Sequence, residues 1–171
     1  MTRAPHRITP SHTRIGWIGT GVMGSSMCGQ VLRTGYRVTV HSRTKSKAQL
    51  LLDRGATWAE SPQAVAAASN LILTMVGFPA DVREVYVGQS GILNGSIPRK
   101  VFIDMTTSSP ALSREIAERA SANRCSAIDA PVSGGDIGAR NASLSIMIGG
   151  TVQAVQAVMP LFELLGKKIV H

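Results

Sequence analysis

The 171-residue sequence predicts an α/β fold with a doubly wound, mostly parallel sheet covered by helices on both faces. Three observations lead to this prediction. Short apolar segments alternate with stretches of helical periodicity, glycine or proline marks most junctions, and apolar residues make up 44% of the chain. The length is that of one domain, which we expect at residues 14–171 after a polar, basic leader at residues 1–13.

The predicted elements follow one another without an internal repeat or a flexible linker. In order, we expect a strand at 14–18, a helix at 22–34, a strand at 36–41, helices at 46–54 and 63–68, a strand at 71–76, a helix at 80–86, a strand at 101–105, a helix at 110–123, a strand at 125–129, a glycine-rich loop at 131–142, a strand at 144–148, a helix at 152–165 and a strand from 169. Gly35 follows the first helix, as helix-ending glycines do. Ser61-Pro62 and Ser109-Pro110 are N-cap and N1 pairs that begin two others.

The formal net charge of +8 comes entirely from the N-terminal part of the chain. Residues 1–52 hold eight of the 18 lysines and arginines and no acid, whereas residues 53–171 hold the other ten and all ten acids. Three of the eight, Arg43, Lys45 and Lys47, follow the second strand, where a cluster facing a phosphate explains them better than a nucleic-acid surface.

Aromatic residues are only 4% of the chain, which argues against a stacking platform for single-stranded nucleic acid. No apolar run approaches the roughly 20 residues of a membrane span. We expect neither nucleic acid nor membrane as a partner.

The cellular compartment stays open. The leader is free of acids and carries arginines, as organellar transit peptides do, yet it is short and interrupted by prolines, as in a disordered cytosolic tail. Cys28 and Cys125 lie in apolar patterns, and we interpret them as buried hydrophobic residues of a reducing compartment. Cytoplasmic and mitochondrial locations both fit.

The segment Gly19-Thr20-Gly21-Val22-Met23-Gly24 follows the first strand directly and begins the first helix. In a Rossmann-type turn, Gly19 makes the tight bend, Gly21 lets the backbone approach a pyrophosphate, and Gly24 lets the helix pack close to the strand. The helix N-terminus adds free N–H groups and the positive end of its dipole. An ordinary glycine turn is the alternative, and the strand–turn–helix context favours the dinucleotide site.

The end of the second strand indicates which dinucleotide is bound. NAD sites usually have an acid here that binds the ribose 2′-OH, but this sequence has Ser42-Arg43-Thr44 and no carboxylate. A guanidinium suits a 2′-phosphate instead. We therefore predict NADP rather than NAD as the cofactor, with a solvated basic loop as the alternative.

Four segments together resemble the β-hydroxyacid dehydrogenase family, which includes 3-hydroxyisobutyrate dehydrogenase and glyoxylate/succinic semialdehyde reductase. They are Ile15-Gly16-Trp17-Ile18-Gly19-Thr20-Gly21-Val22-Met23-Gly24, Ser42-Arg43-Thr44, Ile103-Asp104-Met105-Thr106-Thr107 and Asp129-Ala130-Pro131-Val132-Ser133-Gly134-Gly135. The resemblance covers residues 14–171 and is to the family's N-terminal NAD(P)-binding domain, of the 6-phosphogluconate dehydrogenase type. It implies an oxidoreductase that transfers a hydride between NADP(H) and a small β-hydroxy acid or semialdehyde, such as 3-hydroxyisobutyrate, glyoxylate or succinic semialdehyde. A non-catalytic NADP-binding module or partner subunit is the alternative.

The resemblance also implies roles for individual residues. It implies cofactor contacts for Gly19, Thr20, Gly21, Val22, Met23, Gly24, Ser42, Arg43, Thr44, Val76, Gly77, Phe78 and Thr107. Ser42 stands where NADP-using members have asparagine. The family's substrate loop corresponds to Ser133, Gly134 and Gly135, which would hold a small carboxylate substrate with a hydroxyl and backbone N–H groups.

Two features depart from the family pattern. Members usually have glycine where Asn141 or Ala142 stands, and we expect the turn to survive because asparagine tolerates positive φ. The family's catalytic lysine corresponds to a position beyond His171, and its helical second domain lies beyond this sequence as well. We therefore expect no catalytic residue and no metal ligand in this chain, NADPH binding without turnover, and a homo-oligomer for the full-length form.

Overall fold

The computed structural model describes residues 8–94 and 98–171, which contain nine strands and seven helices. The strands are Arg14–Ile18 (β1), Arg37–His41 (β2), Thr57–Trp58 (β3), Leu71–Thr74 (β4), Val101–Asp104 (β5), Ser126–Asp129 (β6), Val132–Ser133 (β7), Leu144–Met147 (β8) and Gly166–Val170 (β9). The helices are Val22–Arg33 (α1), Gln49–Leu52 (α2), Pro62–Ala68 (α3), Pro79–Val87 (α4), Pro110–Ala122 (α5), Gly135–Arg140 (α6) and Val152–Glu163 (α7).

The main sheet has six parallel strands in the order β3-β2-β1-β4-β5-β6. This is the strand order of a doubly wound dinucleotide-binding fold, in which the chain reverses direction across the sheet between β1 and β4. The predicted fold class is confirmed. Ligands in such sheets bind beyond the carboxyl ends of the strands at that reversal, which lies between Ile18 and Thr74 here.

Alternating strand residues build a core on each face of the sheet. On one face, Trp17, Leu73 and Ile103 pack with α1, α2 and α7. On the other face, Ile72 and Phe102 pack with α3, α4 and α5. Both cysteines are buried, as predicted. Among the described residues, the structure contains no helix with the length and apolar character to cross a membrane.

A second, three-stranded sheet corrects the prediction of a glycine-rich loop at 131–142. That segment forms β7 and α6, and β7 pairs antiparallel with β8, which pairs parallel with β9. The Gln30 side chain of α1 caps α6 by donating hydrogen bonds to its last carbonyls, those of Ala139 and Arg140, at 3.3 and 2.7 Å. An ion pair between Arg140 and Asp136, one turn apart, also stabilises α6.

Smaller differences concern the ends of elements. The predicted helix at 46–54 divides into a 3-10 turn, Lys45–Ala48, and the short α2, while the two-residue β3 was not predicted. The last strand begins at Gly166, so Lys167 and Lys168 lie within it, exposed to solvent, rather than before it. Leader residues 1–7 lie outside the described residues.

The turn between α6 and β8 carries a positive φ at an unexpected residue. Asn141, the predicted site, has φ −93°, whereas Ala142 has φ 51°. A side chain beyond glycine in this region costs roughly 1–2 kcal/mol, so Ala142 holds strain that a glycine would avoid. The turn survives, as expected, but not through the asparagine.

Replacing Ala142 with glycine is therefore expected to raise the free energy of unfolding by about 1 kcal/mol, because it removes this strain. Urea titration followed by circular dichroism measures the change. Asn141→Gly is the matched control and is expected to destabilise the chain slightly, since Asn141 has an ordinary φ. Equal effects of the two substitutions would contradict the assignment of strain to Ala142.

Candidate functional site

The carboxyl ends of β1, β2, β4 and β5 meet at one edge of the main sheet, and most of the predicted cofactor residues follow these ends directly. The turn after β1 contains the glycine segment, the loop after β2 contains Ser42, Arg43 and Thr44, the loop after β4 contains Val76, Gly77 and Phe78, and Thr107 follows β5. Because parallel strands place their carboxyl ends at the same edge, the sheet brings these four loops together.

Two of the three glycines are required by the packing of the chain itself. Gly19 has φ 97°, and a Cβ there would lie 2.0 Å from the carbonyl oxygen of Met75. A Cβ on Gly24 would lie 2.1 Å from the carbonyl oxygen of Gly19. The buried Trp17 fixes the same turn, since its indole N–H donates to the Gly19 carbonyl at 3.0 Å.

Gly21, by contrast, faces open space. Among described atoms, none lies within 4 Å of a Cβ built on Gly21. This residue is the N-cap of α1, whose first turn contains no acid and has no side-chain cap from the part of the chain that the structure describes. The free N–H groups, the helix dipole and the open approach suit a pyrophosphate, so these residues fit a bound dinucleotide.

Neighbouring residues of the turn differ in exposure. Val22 is 74% exposed at the first position of α1, beside the open space. Thr20 is 3% exposed, and its hydroxyl has no hydrogen-bond partner among the described residues. Thr20 is therefore buried within the turn, whereas Val22 exposes an apolar side chain beside it.

Arg43 is joined to the loop after β4 by a carboxylate. Its guanidinium Nη1 lies 3.0 Å from Asp81 Oδ1, while Asp81 Oδ2 accepts the backbone N–H of Phe78 at 3.1 Å. The side chain of Arg43 is 84% exposed and that of Asp81 only 20%. Asp81 lies in the first turn of α4 and anchors Arg43 against this loop. An acid is thus present near Arg43, although it does not come from the end of β2.

A buried hydrogen-bond network fixes the ends of β4 and β5. Asp104 Oδ1 accepts the Thr74 hydroxyl at 2.7 Å and the Thr106 backbone N–H at 3.1 Å. The Thr106 hydroxyl in turn accepts the N–H of Val76 at 3.0 Å. Thr106 is buried while Thr107 is exposed, so Thr106 holds the loop in place and Thr107 faces outward.

Burial raises the pKa of Asp104 to about 6, since the residue is only 5% exposed and the hydrogen bonds offset the desolvation only in part. The neighbouring Asp129, opposite it in the strand register, also has a raised pKa because it is partly buried. The two carboxyls line a cavity of about 200 Å³ between α5 and β6. Ser113 also lines this cavity, and its hydroxyl donates to Asp129 Oδ1 at 3.1 Å.

An aromatic and basic cluster lies beside Arg43 at the end of β2. The Lys45 ammonium lies 5.4 Å from the ring centroid of Trp58, and the ring of His41 lies 5.4 Å from that of Trp58 at an interplanar angle of 35°. The imidazole Nδ1 of His41 is 2.9 Å from the carbonyl oxygen of Ala59. These contacts join β2, the following turn and β3.

The predicted substrate loop lies at the start of α6. Ser133 is exposed at the end of β7, and Gly134 and Gly135 have φ values of 130° and 60°. Both values lie in the region that favours glycine, so the conformation of the loop requires glycine at both positions whether or not a ligand binds.

Among the described residues there is no cluster of three potential metal-ligating side chains.

Sequence reasoning missed Asp81, Asp104, Thr106 and Trp58. Two of them had a usable signal. Asp81 stands three residues after Phe78 at a helix start, which is the spacing of an acid that reaches back to the N-cap N–H. Asp104 is a lone acid ending an apolar strand, which is typical of a buried, functional carboxyl. The contact of Trp58 with Lys45 depends on β3, which the pattern did not reveal.

Comparison with known proteins identifies the family. The sequence model described as the NAD-binding domain of 6-phosphogluconate dehydrogenase matches residues 14–171. The chain is 56% identical over 161 residues to a probable 3-hydroxyisobutyrate dehydrogenase-like 1, mitochondrial, of Arabidopsis thaliana, covering 94% of this chain and 48% of that protein.

Solved structures agree with the sequence comparison. The 3-hydroxyisobutyrate dehydrogenase of Mycobacterium tuberculosis, solved with L-serine, superposes with a TM-score of 0.86 at 30% identity, over 93% of this chain and 54% of that one. Psf3, solved with NADP+ and 2-OPP, superposes with a TM-score of 0.86 at 27% identity, over 91% of this chain and 55% of that one. The chain spans about half the length of the curated relatives it matches.

The geometry of the glycine turn leads to a prediction that separates folding from binding. Gly21→Ser is expected to keep or raise the free energy of unfolding, because serine is a favoured N-cap and meets no neighbouring atom. The same side chain fills the open space and occupies the N–H groups, so dinucleotide affinity is expected to fall at least about ten-fold. Thermal unfolding and calorimetric titration measure the two effects.

Gly24→Ala is the control for this prediction. Its methyl would clash with the Gly19 carbonyl, so it is expected to destabilise the fold by about 1–3 kcal/mol. Unaltered dinucleotide affinity in a folded Gly21→Ser chain would refute the assignment of the open space to the pyrophosphate.

The raised pKa of Asp104 predicts a pH dependence of stability. Below a pH of about 3.8, the ordinary pKa, the Asp104 carboxyl is protonated in both the folded and the unfolded chain. As the pH rises through about 6, the folded chain must release this proton inside the core. The stability contribution is therefore complete below about 3.8, declines as the pH rises from about 3.8 to about 6, and is fully lost above about 6, by an amount on the order of 3 kcal/mol. Asp104→Asn is expected to remove this part of the pH profile of the unfolding free energy. Glu163→Gln, at an exposed carboxyl, is the control, and a profile unchanged by Asp104→Asn would contradict the prediction.

Proposed function

This chain belongs to the family of NAD-binding domains of 6-phosphogluconate dehydrogenase, and we propose that it is the NADP-binding domain of an oxidoreductase similar to 3-hydroxyisobutyrate dehydrogenase. The proposed reaction is hydride transfer between NADP(H) and a small β-hydroxy acid or semialdehyde. The nicotinamide cofactor supplies or accepts the hydride, and the residues of this chain bind and orient it.

The observation that carries the preference for NADP is the position of Arg43. Its guanidinium lies at the end of β2, anchored beside the loop of Val76–Phe78 by Asp81. The end of β2, where NAD-binding folds usually have an acid for the ribose 2′-OH, has the sequence His41-Ser42-Arg43. The solved complex of Psf3 with NADP+ supports the same choice by analogy.

The remaining residues support binding and orientation of a cofactor in this cleft. The N-terminus of α1 attracts the pyrophosphate through its N–H groups. The exposed side chains of Val22, in the glycine turn, and Phe78, after β4, offer apolar surface. The network of Asp104, Thr106 and Val76 keeps the loop after β4 at a fixed distance from β5.

The substrate class rests on the loop at the start of α6. Ser133 offers a hydroxyl, and Gly134 and Gly135 bring backbone N–H groups to the surface without side chains in the way. These are the donors that a small carboxylate needs. The Arabidopsis relative, named for 3-hydroxyisobutyrate dehydrogenase, supports a β-hydroxy acid or its semialdehyde.

Substitution of Arg43 tests the cofactor preference. Arg43→Gln removes the charge and is expected to weaken NADP+ binding about ten-fold while changing NAD+ binding less than about two-fold, because only NADP+ carries the 2′-phosphate. Calorimetric titration with NADP+ and with NAD+ measures the ratio of the two affinities in the substituted and unsubstituted chains.

The matched control is Arg37→Gln, at the opposite end of the same strand. It is expected to leave both affinities unchanged. Equal losses for NADP+ and NAD+ in Arg43→Gln, or tighter binding of NAD+ by the unsubstituted chain, would overturn the proposal.

A further inference from the structure

We propose that the cavity between α5 and β6 binds a small primary ammonium ion, with Asp104 and Asp129 as its two carboxylate partners. None of the residues that line this cavity belongs to the glycine turn or to the loop after β2, so the inference does not depend on which dinucleotide the chain binds. Two observations carry it: the two carboxyls line one cavity, and a buried carboxylate oxygen there has no hydrogen-bond donor among the described residues.

The side chains of Asp104 and Asp129 lie on the same face of the main sheet. The two residues are opposite each other in the parallel register of β5 and β6. Neighbouring strands lie about 4.8 Å apart, and residues paired in this way direct their side chains to the same side. Both residues line the cavity of about 200 Å³. One positive group in this cavity can therefore contact both carboxyls.

The carboxyl of Asp104 uses only one of its two oxygens within the described part of the chain. Oδ1 accepts the Thr74 hydroxyl and the Thr106 N–H, whereas Oδ2 is buried and has no hydrogen-bond partner among the described residues. The whole residue is only 5% exposed. A buried carboxylate oxygen is costly unless a donor or a cation contacts it. Asp104 Oδ2 therefore indicates a donor that comes from the cavity.

The two carboxyls also have no counter-ion from the described part of the chain. No ion pair within 4.0 Å among the described residues involves Asp104 or Asp129. Ser113 donates a hydrogen bond to Asp129 but carries no charge. Arg114 also lines the cavity, yet it is exposed and forms no such ion pair. Because buried carboxylates are either paired or protonated, a cation from solution is the partner that stabilises their charged form.

The rest of the lining favours an organic ammonium over a metal ion. A primary ammonium combines one positive charge with three N–H donors, and Ile116, Ala117 and Ile128 offer apolar surface to its carbon atoms. Calcium takes roughly six to eight oxygen ligands, whereas the described residues contain no cluster of three potential metal-ligating side chains. Pockets for drug-sized ligands measure roughly 300–1,000 Å³, so a cavity of about 200 Å³ suits a ligand of few heavy atoms.

Protons compete with the ammonium ion for the same carboxyls. Burial raises the pKa of Asp104 to about 6 and also raises the pKa of Asp129. The other ionisable groups that line the cavity are Tyr86 of α4 and Arg114 of α5. Burial raises the pKa of Tyr86 well above its ordinary value, so the phenol stays neutral, and a guanidinium is always charged. The carboxyls are therefore the groups whose charge changes between about pH 5 and 7.5.

Titration of the full chain with propylammonium chloride, followed by NMR of the backbone amides, tests the proposal. We expect saturable shifts at the lining residues of α5 and β6 and at Gly149 and Gly150, with a Kd on the order of 1 mM for a ligand of this size. 1-Propanol has the same carbon chain without the charge and is expected to bind at least about ten-fold more weakly. Affinity for propylammonium is expected to fall about ten-fold from about pH 7.5 to about pH 5, because Asp104 takes up a proton.

Variants of the carboxyls and of the cavity wall test the location. Asp104→Asn and Asp129→Asn each remove one charge and are each expected to weaken propylammonium at least about ten-fold. Glu118→Gln, at an exposed position of α5 outside the lining, removes the same charge and is expected to change the affinity less than about two-fold. Ala117→Leu keeps both carboxyls but fills the cavity, and it is expected to abolish binding. Circular dichroism of each variant measures its folding.

The outcomes decide whether the cavity is an ammonium site. Shifts that are confined to the cavity and lost in both carboxyl variants support the proposal. Equal affinity for 1-propanol, which would show an apolar cavity only, overturns it, and so does equal competition by K+ or Na+, which would show an inorganic cation site. It is also overturned by the absence of saturable shifts, or by equal losses in Glu118→Gln and in the carboxyl variants that fold. Each of these results leaves the proposed dinucleotide function intact, since NADP+ and NAD+ affinities are measured separately.

Discussion

At Gly19 and Gly24 the backbone of the first turn comes so close to its neighbours that no side chain fits between them. The carbonyl oxygens of Met75 and Gly19 occupy the positions that a Cβ would take. This contact brings the beginning of α1 against the ends of β1 and β4, where the sheet reverses its direction. The rest of the candidate site depends on this close contact, because an outward displacement of α1 would turn its N-terminal N–H groups away from the carboxyl ends of the strands.

Most of the fold could be predicted from the sequence because its signals are local. Buried strands such as β4 and β5 are continuous apolar runs, and Ser61-Pro62 and Ser109-Pro110 begin helices through hydrogen bonds that the structure contains. The segment at 131–142 was mispredicted as a loop because part of what stabilises α6 is long-range. Its last carbonyls accept hydrogen bonds from Gln30, which lies about 110 residues away in the chain. Similarly, β3 has only two residues and forms through its pairing with β2.

The sequence predicted which loops meet at the candidate site, but it did not predict the charge balance there. The sequence has no acid near Arg43, yet the fold brings Asp81 to it from 38 positions further along the chain. The backbone hydrogen bond of Asp81 with Phe78 is local, whereas its ion pair with Arg43 depends on the neighbouring loops after β2 and β4. The local electrostatics of such a site follow from side chains on different loops, so a sequence motif alone describes them incompletely.

Helix α1 connects the two predicted binding loops through a fixed number of residues. It begins at the glycine turn, and Gln30, two turns later, binds the end of α6, whose beginning carries Gly134 and Gly135. Since an α-helix turns about 100° per residue, one inserted or deleted residue between Gly24 and Gln30 would rotate that amide away from α6. Substitutions on the outer face of α1 are therefore compatible with the fold, whereas changes in its length are not. Over evolutionary time this helix should vary in composition but not in residue count.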